Sequence, residues 1–113
     1  MGTKMEMLFD GGKRKVLTLS CDDGTIHDRR LVAMMNEYGI RGTFNLNSGM
    51  FSQKGTAVIN GYETDMSRIA AEEVKTLYAG HEVASHTLTH PSLTALPSNM
   101  GAAEVLKDRT NLE

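Results

Sequence analysis

Two pairs of residues in this sequence are of types that could do chemistry together. Asp22 and Asp23 stand side by side in Leu19-Ser20-Cys21-Asp22-Asp23-Gly24, and His86 and His90 bound the segment His86-Thr87-Leu88-Thr89-His90. One carboxylate and two imidazoles form a common catalytic zinc set that leaves a coordination position open for water. A second carboxylate beside such a set could serve as general base on that water. Neither pair is decisive alone. Asp-Asp-Gly is an ordinary turn sequence. Two histidines four apart would share one face of a helix, but Pro91 disfavours helical backbone at His90, so the pair belongs on an irregular loop or a single turn. Adjacent residues of an extended segment point opposite ways, whereas a turn lets both face one cleft. One aspartate could then ligate while its neighbour acts as base.

These pairs must be brought together by the elements around them. Lys15–Ser20 is an apolar, β-branched run of strand length that stops at the polar turn Cys21-Asp22-Asp23-Gly24. Leu31, Met34, Met35 and Tyr38 recur at helical spacing between Asp28 and Tyr38, and Gly39 follows as a stop. Thr43–Leu46 reads as a second strand. Residues 47–65 are rich in Gly, Ser and Asn and read as a loop with a small strand at 57–59. Met66, Ile69, Ala70, Val74 and Leu77 give a second helix over roughly 67–79, with Asp65 or Ser67 as its cap and Gly80 at its end. Glu82–Ser85 is a third strand, and Pro97-Ser98 opens a third helix to about Arg109. Strands alternating with helices predict an α/β fold of about three parallel strands with crossover helices. In such folds the chemistry sits at the carboxyl ends of the strands. Asp22 and Asp23 follow the first predicted strand and His86 and His90 follow the third, so all four fall at that end and favour a metal site.

The remaining candidates are weaker. His27 opens the first helix and His81 precedes the third strand, and both read as structural histidines. Asn45 and Asn47, at the end of the second strand, are weak candidates for lining the cleft. Cys21 abuts the acidic pair but reads as a small buried hydrophobe, with no recognisable partner for a nucleophile. No phosphate-binding glycine loop is present.

Composition narrows the class. At 113 residues the chain has room for one domain, and 40% hydrophobic with 23% charged residues is a globular balance. A net charge of −2 argues against nucleic acid as a partner. One cysteine excludes an internal disulfide framework and a multi-cysteine zinc module. No apolar run is long enough to span a membrane. The first fifteen residues carry Lys4, Lys13, Arg14 and Lys15 but no apolar signal core, so the chain as written is expected in the cytoplasm.

Three segments resemble the polysaccharide deacetylase family, carbohydrate esterase family 4. Leu19–Gly24 is similar to its first motif, Gly42-Thr43-Phe44 to its second strand, and Gly80-His81-Glu82-Val83-Ala84-Ser85-His86-Thr87-Leu88-Thr89-His90-Pro91 to its second motif with its lead-in. The resemblance implies a distorted (β/α) barrel in which Asp23, His86 and His90 bind a divalent metal, commonly zinc. Asp22 would be the base that takes a proton from the attacking water. The implied activity is removal of acetyl groups from carbohydrate, mostly N-acetyl from glucosamine and sometimes O-acetyl from xylan. Some relatives cleave other carbon–nitrogen amide bonds, and many act outside the cell.

The sequence departs from the family pattern at Cys21 and Asn45, where the family usually has Phe. The family domain has about 200 residues, and its later motifs, with their arginine and general-acid histidine, have no counterpart in residues 91–113. The resemblance is therefore expected to cover only the N-terminal half of the fold, residues 1–113 forming a single partial domain, a fragment or truncated form. Half a barrel would leave open strand edges that favour self-association. Two readings of other classes stand beside this one: a catalytically silent remnant that binds metal and sugar, and a receiver-type signalling module. The second leaves His86 and His90 without a role.

Overall fold

The computed structural model describes residues 2–113. In chain order its elements are β1 (Ser20–Asp22), α1 (Asp28–Glu37), β2 (Thr43–Leu46), β3 (Thr56–Ile59), β4 (Tyr62–Asp65), α2 (Val74–Leu77), β5 (Glu82–Ser85) and α3 (Ser98–Leu112), with short 3-10 turns at Asp10–Gly12, Ser48–Met50, Ala71–Glu73 and Leu93–Ala95. β1, β2 and β5 form a parallel sheet in the order β1-β2-β5, and β3 and β4 form a separate antiparallel hairpin. The expected α/β fold with a small parallel sheet and crossover helices is the fold observed, consistent with a partial distorted (β/α) barrel. Among the described residues no helix is long and apolar enough to cross a membrane.

Strand register gives the two faces of the sheet different jobs. Cys21, Phe44 and Val83 are register partners and share one face, as aligned residues of parallel strands do. That face carries the core: Phe44 and Leu46 are fully buried with Ile69, and Val32 and Met35 of α1 and Tyr78 complete the cluster. The Phe44 and Tyr78 rings lie 4.6 Å apart. Burying a side chain such as Phe44 contributes roughly 1.5–3 kcal/mol. Ser20, Asp22, Thr43, Asn45 and Glu82 occupy the other face, cross-linked by Thr43 Oγ1 donating to Glu82 Oε2 at 2.5 Å and by the Asn45 amide.

Three elements differ from the sequence expectations. The predicted strand at 15–20 is reduced to Ser20–Asp22, and Val16 and Leu17 stay solvent-exposed. The segment expected to be helical from 67 is extended through Ala70, with ψ 151°, and turns helical only from Ala71. Its backbone is committed elsewhere: Ser67 O accepts from Ile26 N and Ile69 N donates to Gly24 O. The Ala70 amide then donates to Glu73 Oε2 at 2.9 Å, which ties down an otherwise free donor at the helix start. The loop expected over 47–65 contains a hairpin. Asn60 and Gly61 have φ of 51° and 83°, as a two-residue type I′ connection requires.

Candidate metal centre

The acidic pair sits where β1 ends. Asp22 is the last residue of the strand, and Asp23 N extends the ladder by donating to Asn45 O at 2.9 Å. Asp23 then turns with φ 83° and Gly24 with φ 62°. Glycine suits that position, because a Cβ would lie 2.8 Å from Leu46 Cδ2 and push this buried side chain aside. The histidine loop leaves β5 in the same way: His86 N donates to Leu46 O at 2.9 Å, Thr87 turns with φ 71°, and His90 has φ 56°. Three non-glycine residues in left-handed backbone thus cluster around one cleft. Strain of this kind, which costs about 1–3 kcal/mol per residue, concentrates at functional sites.

The turns bring the predicted ligands together. One ligand atom each from Asp23, His86 and His90 lies within 4.8 Å of the others. Asp23 Oδ1 is 3.3 Å from His90 Nε2 and 3.7 Å from His86 Nε2. Donors around a tetrahedral ion with bonds near 2.0–2.2 Å are separated by roughly 3.3–3.6 Å. Asp23 Oδ1 is also buried without a hydrogen bond. The Arg68 guanidinium stands 3.5 Å from it without hydrogen bonding, so a bound cation would complete what that ion pair leaves open. The residues therefore fit a divalent ion, with Asp23, His86 and His90 as its holders. Asp22 is half-exposed on the polar sheet face; its Oδ1 accepts from Asn45 Nδ2 at 2.7 Å, and its Oδ2 lies 4.0 Å from His86 Nε2.

The other sequence candidates are used structurally. Both amide hydrogens of Asn45 are engaged, by Ser20 Oγ and Asp22 Oδ1. Asn47 is buried, and its amide donates to His86 O at 2.5 Å and Thr87 O at 2.8 Å. Asn45 and Asn47, the weak candidates for lining the cleft, hold Asp22 and the histidine loop through these bonds. His27 Nε2 meets Asp65 O at 2.7 Å, and His81 bonds through both ring nitrogens, to Gly42 N and Asn36 Oδ1. Burial, then the Asp28 and Asp22 charges, push the Cys21 thiol up, which keeps it in the inert thiol form.

Sequence reasoning missed three residues. Arg68, mostly buried, donates to Asp23 O and stands 3.5 Å from Asp23 Oδ1. Glu104 accepts from Thr89 N and Thr89 Oγ1. Asp108 is fully buried and accepts from Ser48 N, Ser85 Oγ and His86 N. Burial alone would raise the Asp108 carboxyl, but these donors outweigh it and hold it below the ordinary carboxylate value. None of the three is near in sequence to what it holds, so no local pattern marks it.

The profile of the polysaccharide deacetylase family matches residues 10–113. The chain belongs to that family. The match corrects the expectation of a resemblance limited to an N-terminal half: it runs through nearly the whole chain, well past the last recognised motif at Pro91. A solved Streptococcus pyogenes deacetylase, PplD in complex with acetate, superposes with a TM-score of 0.70 over 88% of this chain at 21% identity. This member of the deacetylase family spans 40% of that chain. No curated protein matches significantly.

Proposed function

We propose that this chain carries the metal-binding and base-bearing part of a deacetylase that hydrolyses acetyl groups, as amide or ester, on carbohydrate. The observation that carries the reading is the buried, hydrogen-bond-free Asp23 Oδ1 facing the Nε2 atoms of His86 and His90. Asp23, His86 and His90 are the ligands in this reading, and zinc is the ion their one-oxygen, two-nitrogen set suits best. When bound, such an ion polarises a carbonyl and makes water a nucleophile near neutral pH. Asp22 is the general base. Asn45 holds one of its oxygens, leaving the other turned toward the histidines to take a proton from water attacking the acetyl carbon. Residues 1–113 are read as a single partial deacetylase-like unit; among the described residues no further strand pairs with the outer edges of β1 and β5.

The test is acetate release from a panel of acetylated chito-oligosaccharide, peptidoglycan fragments and acetylated xylan, with zinc supplied and then chelated. Zinc-dependent release that Asp22→Asn abolishes supports the proposal. Stoichiometric zinc binding with no release from any member of the panel would leave this chain as a silent metal-binding remnant and sink the catalytic reading.

A further inference from the structure

We propose that Asp108 is a positioning residue for His86: a buried carboxylate on α3 that sets the backbone from which the imidazole reaches the metal site. The proposal rests on the metal reading above. Asp108 has no solvent exposure, and its two oxygens gather three donors from two separate segments. Oδ1 accepts from Ser48 N at 2.6 Å, in the turn after β2. Oδ2 accepts from Ser85 Oγ at 2.6 Å and from His86 N at 2.9 Å, where β5 gives way to the histidine loop. Removing a carboxylate from water is costly unless donors converge on it, and here the convergence point is the amide of a ligand residue.

The surrounding bonds show what the carboxylate governs. His86 N is shared between Asp108 Oδ2 and Leu46 O, while His86 O accepts from Asn47. One helical turn earlier on α3, Glu104 grips Thr89 through two bonds, and Leu88 N donates to Glu104 O. Glu104 and Asp108 lie on one face of the helix at i, i+4. α3 thus holds the loop at both ends of His86–Thr89, including Thr87 in left-handed backbone. Asp108 touches neither imidazole ring, so it can act on the metal only through the placement of His86. Partners that orient a ligand through its ring typically change metal affinity about 10–100-fold when lost, and loss of an anchor on the ligand's backbone is expected to act in the same direction.

Asp108→Asn preserves size but not function. An amide has one acceptor oxygen, so its NH2 must face either the Ser48 N–H or the His86 N–H. The experiment titrates the full 113-residue chain with zinc alone by calorimetry, and follows the His86 amide by hydrogen exchange. Tyr78→Phe serves as the comparator, since it loses a buried hydrogen bond to Asp28 away from the histidine loop. Asp108→Asn is expected to weaken zinc binding about 10–100-fold and to deprotect the His86 amide, with Tyr78→Phe at parental affinity. Parental affinity in Asp108→Asn, or equal loss in both variants, overturns the proposal. Should Asp108→Asn fail to fold, Ser85→Ala removes a single donor and should still weaken binding measurably; no change overturns the proposal. If the parent chain binds no zinc, the metal reading has failed, and the positioning claim is decided by exchange alone: unchanged His86 protection in Asp108→Asn rejects it.

Discussion

The four histidines divide into two pairs that occupy opposite chemical situations. His81, at the amino end of β5, bonds through both ring nitrogens and packs edge-on against Phe44 at 5.4 Å. His27 is anchored to Asp65 O. At the carboxyl end, the Nε2 atoms of His86 and His90 instead converge on a carboxylate oxygen that lacks any hydrogen bond. Residue type is the same in both pairs; what separates them is whether the protein itself satisfies the ring. A histidine whose nitrogens are matched by fixed partners closes a structure, and one aimed at a carboxylate oxygen without a hydrogen bond makes a candidate metal ligand.

This contrast can be broken most directly by substitution at each end. His86→Ala or His90→Ala should abolish zinc uptake, measured as metal content of the purified chain. His81→Leu should leave uptake at parental level. Equal loss from both ends would mean that metal binding reports general integrity rather than the cluster. Next in size, Asp22→Asn should keep the metal and lower acetate release about 10²–10⁴-fold; loss of metal instead would reverse the roles assigned to the two aspartates.

Smaller effects concern the groups that close structure. Tyr78 donates to the buried Asp28 carboxylate at 2.6 Å, so Tyr78→Phe should cost about 1.5–3 kcal/mol in denaturant unfolding at neutral pH. Burial raises the Asp28 carboxyl above its ordinary value, against the lowering by Tyr78. A carboxyl with a raised folded pKa makes its fold most stable below the unfolded pKa, and that stability declines as pH rises through the folded pKa. Removing the Tyr78 donor raises the folded pKa further. The deficit of Tyr78→Phe should therefore be full at neutral pH and shrink in acid; a deficit independent of pH would place its origin in packing. Smallest, His81→Leu should lower stability by about 0.5–1.5 kcal/mol for each hydrogen bond lost, read as a shift in denaturant midpoint.

The candidate metal cluster was legible in the sequence because its signals are local. Asp22-Asp23-Gly24 marks a turn after a strand, and Pro91 keeps His90 out of a helix. β2 and β5 were legible for a similar reason, as short runs followed by polar residues. β1 was displaced because Val16 and Leu17 are strand formers with no strand beside them; pairing with β2 begins only at Ser20. Between 67 and 70 the apolar spacing suits a helix, but the backbone bonds made to Gly24 and Ile26 override it. The hairpin did have a local signal, the Asn60-Gly61 pair. Arg68 and Asp108 had none. They act across 45 and 22 residues of chain, on Asp23 and His86, and only tertiary structure brings them there.

Thr87 carries one further consequence. Its φ of 71° is a conformation that a β-branched side chain resists. Glycine would accept it at no steric cost. Thr87→Gly would relieve that resistance in the folded loop, but it would also enlarge the set of shapes open to the loop between the two histidines. The present sequence does the reverse: it keeps an uncomfortable residue in a segment held by Asn47, Glu104 and Asp108. The histidine loop is thus a place where the chain trades comfort for fidelity of shape, and a variant selected only for heat resistance would be under pressure to give that fidelity up.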